Sequence, residues 1–139
     1  MTERQSALGA VRIVARYSDG RVLKGTTLNF SPTGPKFFLH LADAASGDEA
    51  VPVLLSELKG VFFVRDLTGD PAHKELKEFA TPPAGRRILV TFRDGEQLMG
   101  SSLTYNAARD GFFLFPADAQ SNTERVFVVM QAVLTVERL

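Results

Sequence analysis

The sequence lacks cysteine and tryptophan altogether, and its 139 residues include only two histidines, His40 and His73. Without cysteine there is no disulfide, no thiolate nucleophile and no thiolate zinc site. Two histidines are too few for a metal centre built on imidazole ligands. The sequence therefore predicts neither a bound metal nor a cofactor.

An excess of charge is also lacking, because 16 basic and 16 acidic residues give a formal net charge of zero. This balance argues against a protein held on nucleic acid or anionic lipid by its overall charge. No apolar run approaches the roughly 20 residues of a membrane-spanning helix. Residues 1–5 show neither the basic start nor the apolar stretch of a signal peptide. We therefore expect no membrane insertion and a cytoplasmic location.

What the sequence does contain is an internal repeat, since residues 12–64 align with residues 87–139 at a constant offset of 75 and without a gap. Eighteen of the 53 aligned positions are identical. Two β-rich segments that shared only composition would not keep one register over this length. The sequence therefore predicts a duplication, whose halves we call copy 1 and copy 2.

Each copy is predicted to form five short strands. An Asp-Gly pair after the first strand indicates a hairpin turn, and a glycine inside the second strand, Gly25 or Gly100, predicts a bend. The predicted strands are 11–17, 21–30, 36–41, 49–55 and 60–66 in copy 1, and 88–92, 97–105, 112–115, 125–130 and 133–138 in copy 2.

Between the copies, residues 67–86 are predicted to form a linker with a short helix. Asp70 can cap this helix, Pro71 can occupy its first position, and its last residue is Phe79. The predicted domains are thus 1–66, the linker 67–86, and 87–139. Because each copy alone would bury only a marginal core, we expect the copies to pack through one twofold-like contact between the same face of each.

Five strands in about 53 residues predict a small closed or nearly closed barrel, since an open sheet of this size would leave long edges unpaired. Residues 88–103 run from an apolar strand through Asp94-Gly95 into a strand with Gly100, and they resemble the opening strands of Sm-like and SH3-like barrels. The expected fold is mainly β, with two tandem five-stranded barrels joined by a short helix. Tandem barrels of this kind also resemble uncharacterised bacterial proteins, which implies no activity.

A second resemblance lies in Asn29-Phe30-Ser31-Pro32-Thr33-Gly34, which fits the Asn/Asp-x-Ser-x-x-Gly element of PilZ domains. PilZ domains are β-barrels that bind cyclic di-GMP, so the resemblance implies a nucleotide site at Asn29, Ser31 and Gly34. The family pairs this element with an Arg-x-x-x-Arg motif before the first strand. Here the candidates are Arg4, which stands alone, and Arg12 and Arg16, which fall inside the predicted strand. Copy 2 lacks the element.

Phenylalanine is the unusual component, with eleven residues, six of which form three adjacent pairs. Successive strand residues point to opposite faces, so each pair places one ring inside its barrel and one outside. If Leu39 and Leu114 point inward, Phe38 and Phe113 point outward. An outward ring either packs between the copies or contacts a partner. The predicted partner-binding residues are Phe38, Phe63 and Phe113.

No catalytic constellation stands out, because the histidines have no partner at a characteristic spacing and the Asp-Gly aspartates suit hairpin turns. The sequence therefore predicts a protein that is not an enzyme. The leading hypothesis is a protein-interaction module, a bacterial regulatory or signalling adaptor that binds another protein or forms a homo-oligomer. The alternatives are a degenerate PilZ-like domain that binds cyclic di-GMP and an Sm-like module that stacks RNA bases on exposed rings.

Overall fold

The computed structural model describes residues 10–42, 50–69, 85–118 and 120–139. These residues form ten strands and two single-turn 3-10 helices, Leu55–Glu57 and Met130–Ala132. No helix in these four ranges is long and apolar enough to cross a membrane. The strands are β1 Val11–Tyr17, β2 Val22–Thr27, β3 Lys36–Leu41, β4 Ala50–Leu54, β5 Leu58–Val64, β6 Arg86–Phe92, β7 Gln97–Ser102, β8 Gly111–Pro116, β9 Thr123–Val129 and β10 Val133–Arg138.

All ten strands belong to one antiparallel sheet, in the order β10-β6-β7-β8-β9-β5-β1-β2-β3-β4. Within this order the second half of the chain repeats the first, because β6 to β10 are the counterparts of β1 to β5 in arrangement as well as in sequence. The mainly β class is therefore confirmed. The prediction of two separate barrels is not confirmed, since the sheet is continuous, and the predicted helix between them lies outside the described residues.

The turns and bends follow from the residues that the sequence analysis singled out. Gly20 and Gly95 have φ values of 97° and 95°, a region that favours glycine. A Cβ atom on Gly25 would collide with the backbone carbonyl of His40, and one on Gly100 with that of Phe115. The second strand of each copy thus passes so close to the third that only glycine fits at this position.

The two copies join through unlike strands, β5 of copy 1 and β9 of copy 2, with Val61 opposite Phe127. The predicted twofold-like contact between equivalent faces is therefore wrong. The physical reason lies in composition, because β5 and the half of β9 from Val126 to Val129 are buried on both faces of the sheet. The counterparts of Phe62 and Phe63 are Glu137 and Arg138, which could not be buried in the same way.

The paired central strands form a wall that both cores share. Alternate residues of β5 and β9 face opposite sides of the sheet, and each side packs into a different core. The first core receives Val61, Phe63, Phe127 and Val129. The second core receives Phe62, Val64, Val126 and Val128. Each copy therefore completes its core with side chains from the other copy, which explains why every residue of β5 is buried.

Candidate interaction surfaces

The third strand of each copy has the predicted alternation. Phe37 and Phe112 are buried, with 1% and 2% of their surface exposed, and Leu39 and Leu114 are fully buried beside them. Phe38 and Phe113 point the opposite way, so this prediction is confirmed. The environments of these two outward rings differ, and that difference defines the candidate site.

In copy 2 the outward ring of Phe113 packs against copy 1. Its centroid lies 6.1 Å from that of Phe63, 6.4 Å from that of Phe30 and 5.2 Å from that of Phe127. Phe63 itself is only 5% exposed. Two of the three residues predicted to bind a partner, Phe63 and Phe113, are thus packed at the junction of the copies.

In copy 1 the corresponding surface is open. Phe38 is 40% exposed and Leu54 is 41% exposed. Phe38 lies opposite Pro52 and Leu54 lies opposite Lys36 in the ladder of β3 and β4, so these side chains share one face of the sheet. Leu28, at the end of β2, is 67% exposed. We call Leu28, Phe38, Pro52 and Leu54 the Phe38 patch.

The repeat relates three of the four patch residues to a covered surface of copy 2, whereas the counterpart of Leu28 is Leu103, which is 68% exposed. At the repeat offset of 75, the counterparts of Phe38, Pro52 and Leu54 are Phe113, Phe127 and Val129. All three of those residues pack against the first core. The same position in the fold is therefore an interface in one copy and a solvent-exposed apolar face in the other.

The residues of the PilZ-like element form a turn that supports the third strand. The side-chain oxygen Oδ1 of Asn29 accepts a hydrogen bond from the Phe38 backbone N–H at 3.2 Å. Thr104 does the same for Phe113 in copy 2, where the element is lacking. The Ser31 carbonyl accepts a hydrogen bond from the Gly34 N–H at 3.3 Å. The hydrogen bond to Phe38 therefore explains why asparagine occupies position 29 without requiring a bound ligand.

The candidate arginines lie in different surroundings. Arg16 forms an ion pair with Glu96 at 3.4 Å and its guanidinium lies 5.2 Å from the Phe62 ring centroid. Arg12 lines a separate cavity, and Arg4 lies outside the described residues. Neither the cavity that Arg16 lines nor the cavity that Arg12 lines includes Asn29, Ser31 or Gly34. Binding of cyclic di-GMP through these residues stays a prediction.

An ion cluster at the junction was missed by the sequence analysis. Lys59 of copy 1 is 6% exposed, and its ammonium group contacts the carboxylates of Asp94, at 2.8 Å, and Glu96 of copy 2. The hydrogen bond from Lys59 is the main reason that the pKa of Asp94 lies below its usual 3.8. The sequence did contain a signal for this cluster, namely two aligned positions at which the copies differ in charge. The counterpart of Lys59 is Leu134, and the counterpart of Glu96 is Arg21.

These features define the class of the molecule: a mainly β protein made from a duplicated five-strand unit, in which unlike strands join the copies. Within the described ranges, no three side chains of the histidine, aspartate and glutamate types cluster as a metal site would require. The chain belongs to a family of unknown function, DUF6982, whose family model matches residues 9–139. It matches no curated protein and no solved structure.

Proposed function

We propose that this protein is a non-catalytic interaction module, a regulatory or signalling adaptor that binds another protein at the Phe38 patch. The observation that supports this proposal is the contrast between Phe38 and Phe113. The two residues occupy the same position in the repeat, and Phe113 is half-buried against the first core, beside Phe30 and Phe63 of copy 1. A face that packs against protein in one copy and is exposed in the other is suited to the same kind of contact with a partner.

The junction indicates the chemistry of the partner. Copy 1 offers Phe113 the aromatic rings of Phe30 and Phe63, so we expect the partner to place aromatic or large aliphatic side chains on Phe38. Pro52 has no N–H to donate to an added strand. The partner therefore docks through side chains on the face of the sheet and does not extend the sheet at β4.

The proposed small-barrel character of each copy agrees with this function. Glycine at the same place in both second strands, Gly25 and Gly100, is the feature that supports a barrel of the Sm-like or SH3-like type. In such a unit the side chains that point away from the core on the third and fourth strands form a continuous outer face. The Phe38 patch occupies that face in copy 1.

Photo-crosslinking tests the proposal. A benzophenone amino acid is placed at position 38 in the full-length chain and, as a matched control, at position 22, where Val22 is 45% exposed on β2. After irradiation in the native cell, we expect one discrete heavier product from position 38 and none from position 22. In an unlabelled competitor, Phe38→Ser should abolish competition for the crosslinked partner while Val22→Ser competes normally.

Two results would overturn the proposal. One is the same set of products from positions 22 and 38, because that would show non-specific contact. The other is undiminished competition by Phe38→Ser, because the patch would then contribute nothing to binding. A product with the mass of two copies of this chain would show that the partner is a second copy of the chain, and thus that the protein forms a homo-oligomer.

A further inference from the structure

A second surface, distinct from the Phe38 patch, lies in a cavity of about 790 Å³ where the copies meet. Copy 1 contributes the beginning of β1 and the end of β5, and copy 2 contributes residues of β8 and β9. Three arginines line it, Arg12, Arg65 and Arg125, together with one carboxylate, Glu124. The cavity therefore carries a local excess of positive charge in a chain whose net charge is zero.

One of the three guanidinium groups is already paired, and Arg12 lies close enough to Asp66 that its charge helps to lower the pKa of that carboxyl group. Arg65 forms an ion pair with Glu124 at 3.3 Å. In the part of the chain that the structure describes, neither Arg12 nor Arg125 forms an ion pair. These two side chains can therefore donate charge-assisted hydrogen bonds to an anion without first breaking an existing pair.

The structure also holds two of the arginines in place. The Arg125 guanidinium lies 4.4 Å from the ring centroid of Phe63 and 5.3 Å from that of Phe113. Stacking of this kind leaves the in-plane N–H groups of a guanidinium available to a ligand. The Arg65 Nε donates to the Ser121 carbonyl at 3.2 Å. Less side-chain freedom is then lost when a ligand binds.

An aromatic ring completes the lining. Phe115 is 39% exposed and faces the same cavity, with Val11 and Val64 among the apolar residues around it. An exposed phenylalanine ring offers a planar surface on which a nucleobase can stack. Guanidinium groups and an aromatic ring in one cavity match the two parts of a nucleotide, its phosphate and its base.

We propose that this cavity binds a nucleotide, with Arg12 and Arg125 on the phosphate and Phe115 on the base. The repeat indicates one site per chain, because the counterparts of Arg125 and Phe115 in copy 1 are Ala50 and His40. This site shares only Arg12 with the residues that the PilZ resemblance implies, and its other ligands come from copy 2.

Calorimetric titration of the full chain in low salt provides the test, with ATP, GTP, cyclic di-GMP, adenosine and inorganic phosphate as separate probes. We expect at least one of the three nucleotides to bind with one site per chain. Its affinity should fall about tenfold or more in Arg12→Gln and in Arg125→Gln. Phe115→Ala should weaken nucleotide binding but leave the affinity for inorganic phosphate unchanged.

The controls separate binding from folding. Arg138→Gln removes one positive charge from the exposed strand β10 and should leave the affinity unchanged. Because Arg125 packs on two aromatic rings, Arg125→Gln can change the stability of the fold as well as binding. Arg12 is exposed, so Arg12→Gln should unfold like the wild type and report on binding alone. The proposal is overturned if none of the nucleotides binds below about 1 mM, or if binding survives both arginine replacements.

Discussion

At the scale of single residues, glycine fixes the path of the second strand in each copy. Gly25 pairs with Ile13 on one side and with Leu41 on the other. Gly100 has the same two-sided pairing in copy 2. A methyl group at either position would enter the space of a backbone carbonyl, which cannot move without breaking the ladder. The close approach of the second and third strands therefore depends on the absence of a side chain.

We predict that Gly100→Ala destabilises the protein by more than about 2 kcal/mol, because the added Cβ collides with the Phe115 carbonyl. The matched control is Gly34→Ala, whose Cβ would lie 3.6 Å from its nearest neighbour, an ordinary contact. Its effect should stay within about 1 kcal/mol. Urea denaturation measures both, and equal losses would show that the close approach of β7 and β8 tolerates a side chain.

The inward and outward orientation of single residues could be predicted from the sequence, and the environment of the outward residues could not. The alternation of Phe37 and Phe38 follows from the period of a strand. Whether the outward ring meets protein or solvent depends on which strands join the copies. Because phenylalanine occupies both aligned positions, the sequence suggested the same role for Phe38 and Phe113. In the structure, however, the two residues have different surroundings.

At the scale of strands, the junction combines apolar pairing with an ion cluster. β5 and β9 supply the apolar wall, and Lys59 of β5 extends to carboxylates in the turn between β6 and β7. The Lys59 ammonium also lies 4.8 Å from the Phe92 ring centroid. A buried ammonium is tolerated only where opposite charges surround it. The cluster therefore fixes the position of copy 2 against copy 1.

The stability of this junction should depend on acid pH. Because the folded state lowers the pKa of Asp94, the carboxylate contributes stability above its unfolded pKa near 3.8, and this contribution is lost as the pH falls through the lower folded pKa. We predict that Lys59→Met is less stable than the wild type at pH 5 and that the difference shrinks toward about pH 2. Unfolding free energies measured by urea denaturation at each pH check this.

Asp19→Asn is the control for that measurement. The pKa of Asp19 is also lowered, mainly by a hydrogen bond from the Arg21 backbone within its own turn. Lys59→Met should therefore remove the part of the Asp94 acid dependence that comes from Lys59, and it should leave both the part due to the Glu96 backbone N–H and the acid dependence of Asp19. An unchanged gap between Lys59→Met and the wild type from pH 5 to pH 2 would contradict the account of the cluster.

At the scale of the whole molecule, the duplication does not produce two independent units. Each core contains side chains of both copies, since β5 and β9 each contribute to both. We predict a single cooperative unfolding transition in calorimetry, with equal calorimetric and van't Hoff enthalpies. Two resolved transitions would show that the copies unfold separately and that the shared wall contributes little.

The sequence repeat predicted the strands of both copies well and their assembly poorly. An ungapped offset shows that two units have the same fold, but it does not show which edges meet. The clue lay in single differences between the copies, such as Pro52 against Phe127 and Arg138 against Phe63. These differences leave β5 and β9 as the pair that can be buried on both faces.

Phe113 and Phe38 occupy one position in the repeat, with Phe113 in the junction and Phe38 on the exposed patch where we propose that a partner binds. The most direct test compares the unfolding free energies of Phe113→Ala and Phe38→Ala by urea denaturation. We predict a loss of about 2–4 kcal/mol for Phe113→Ala, which leaves a cavity at the junction, and less than about 1 kcal/mol for Phe38→Ala. Equal losses, or a larger loss for Phe38→Ala, would contradict the account.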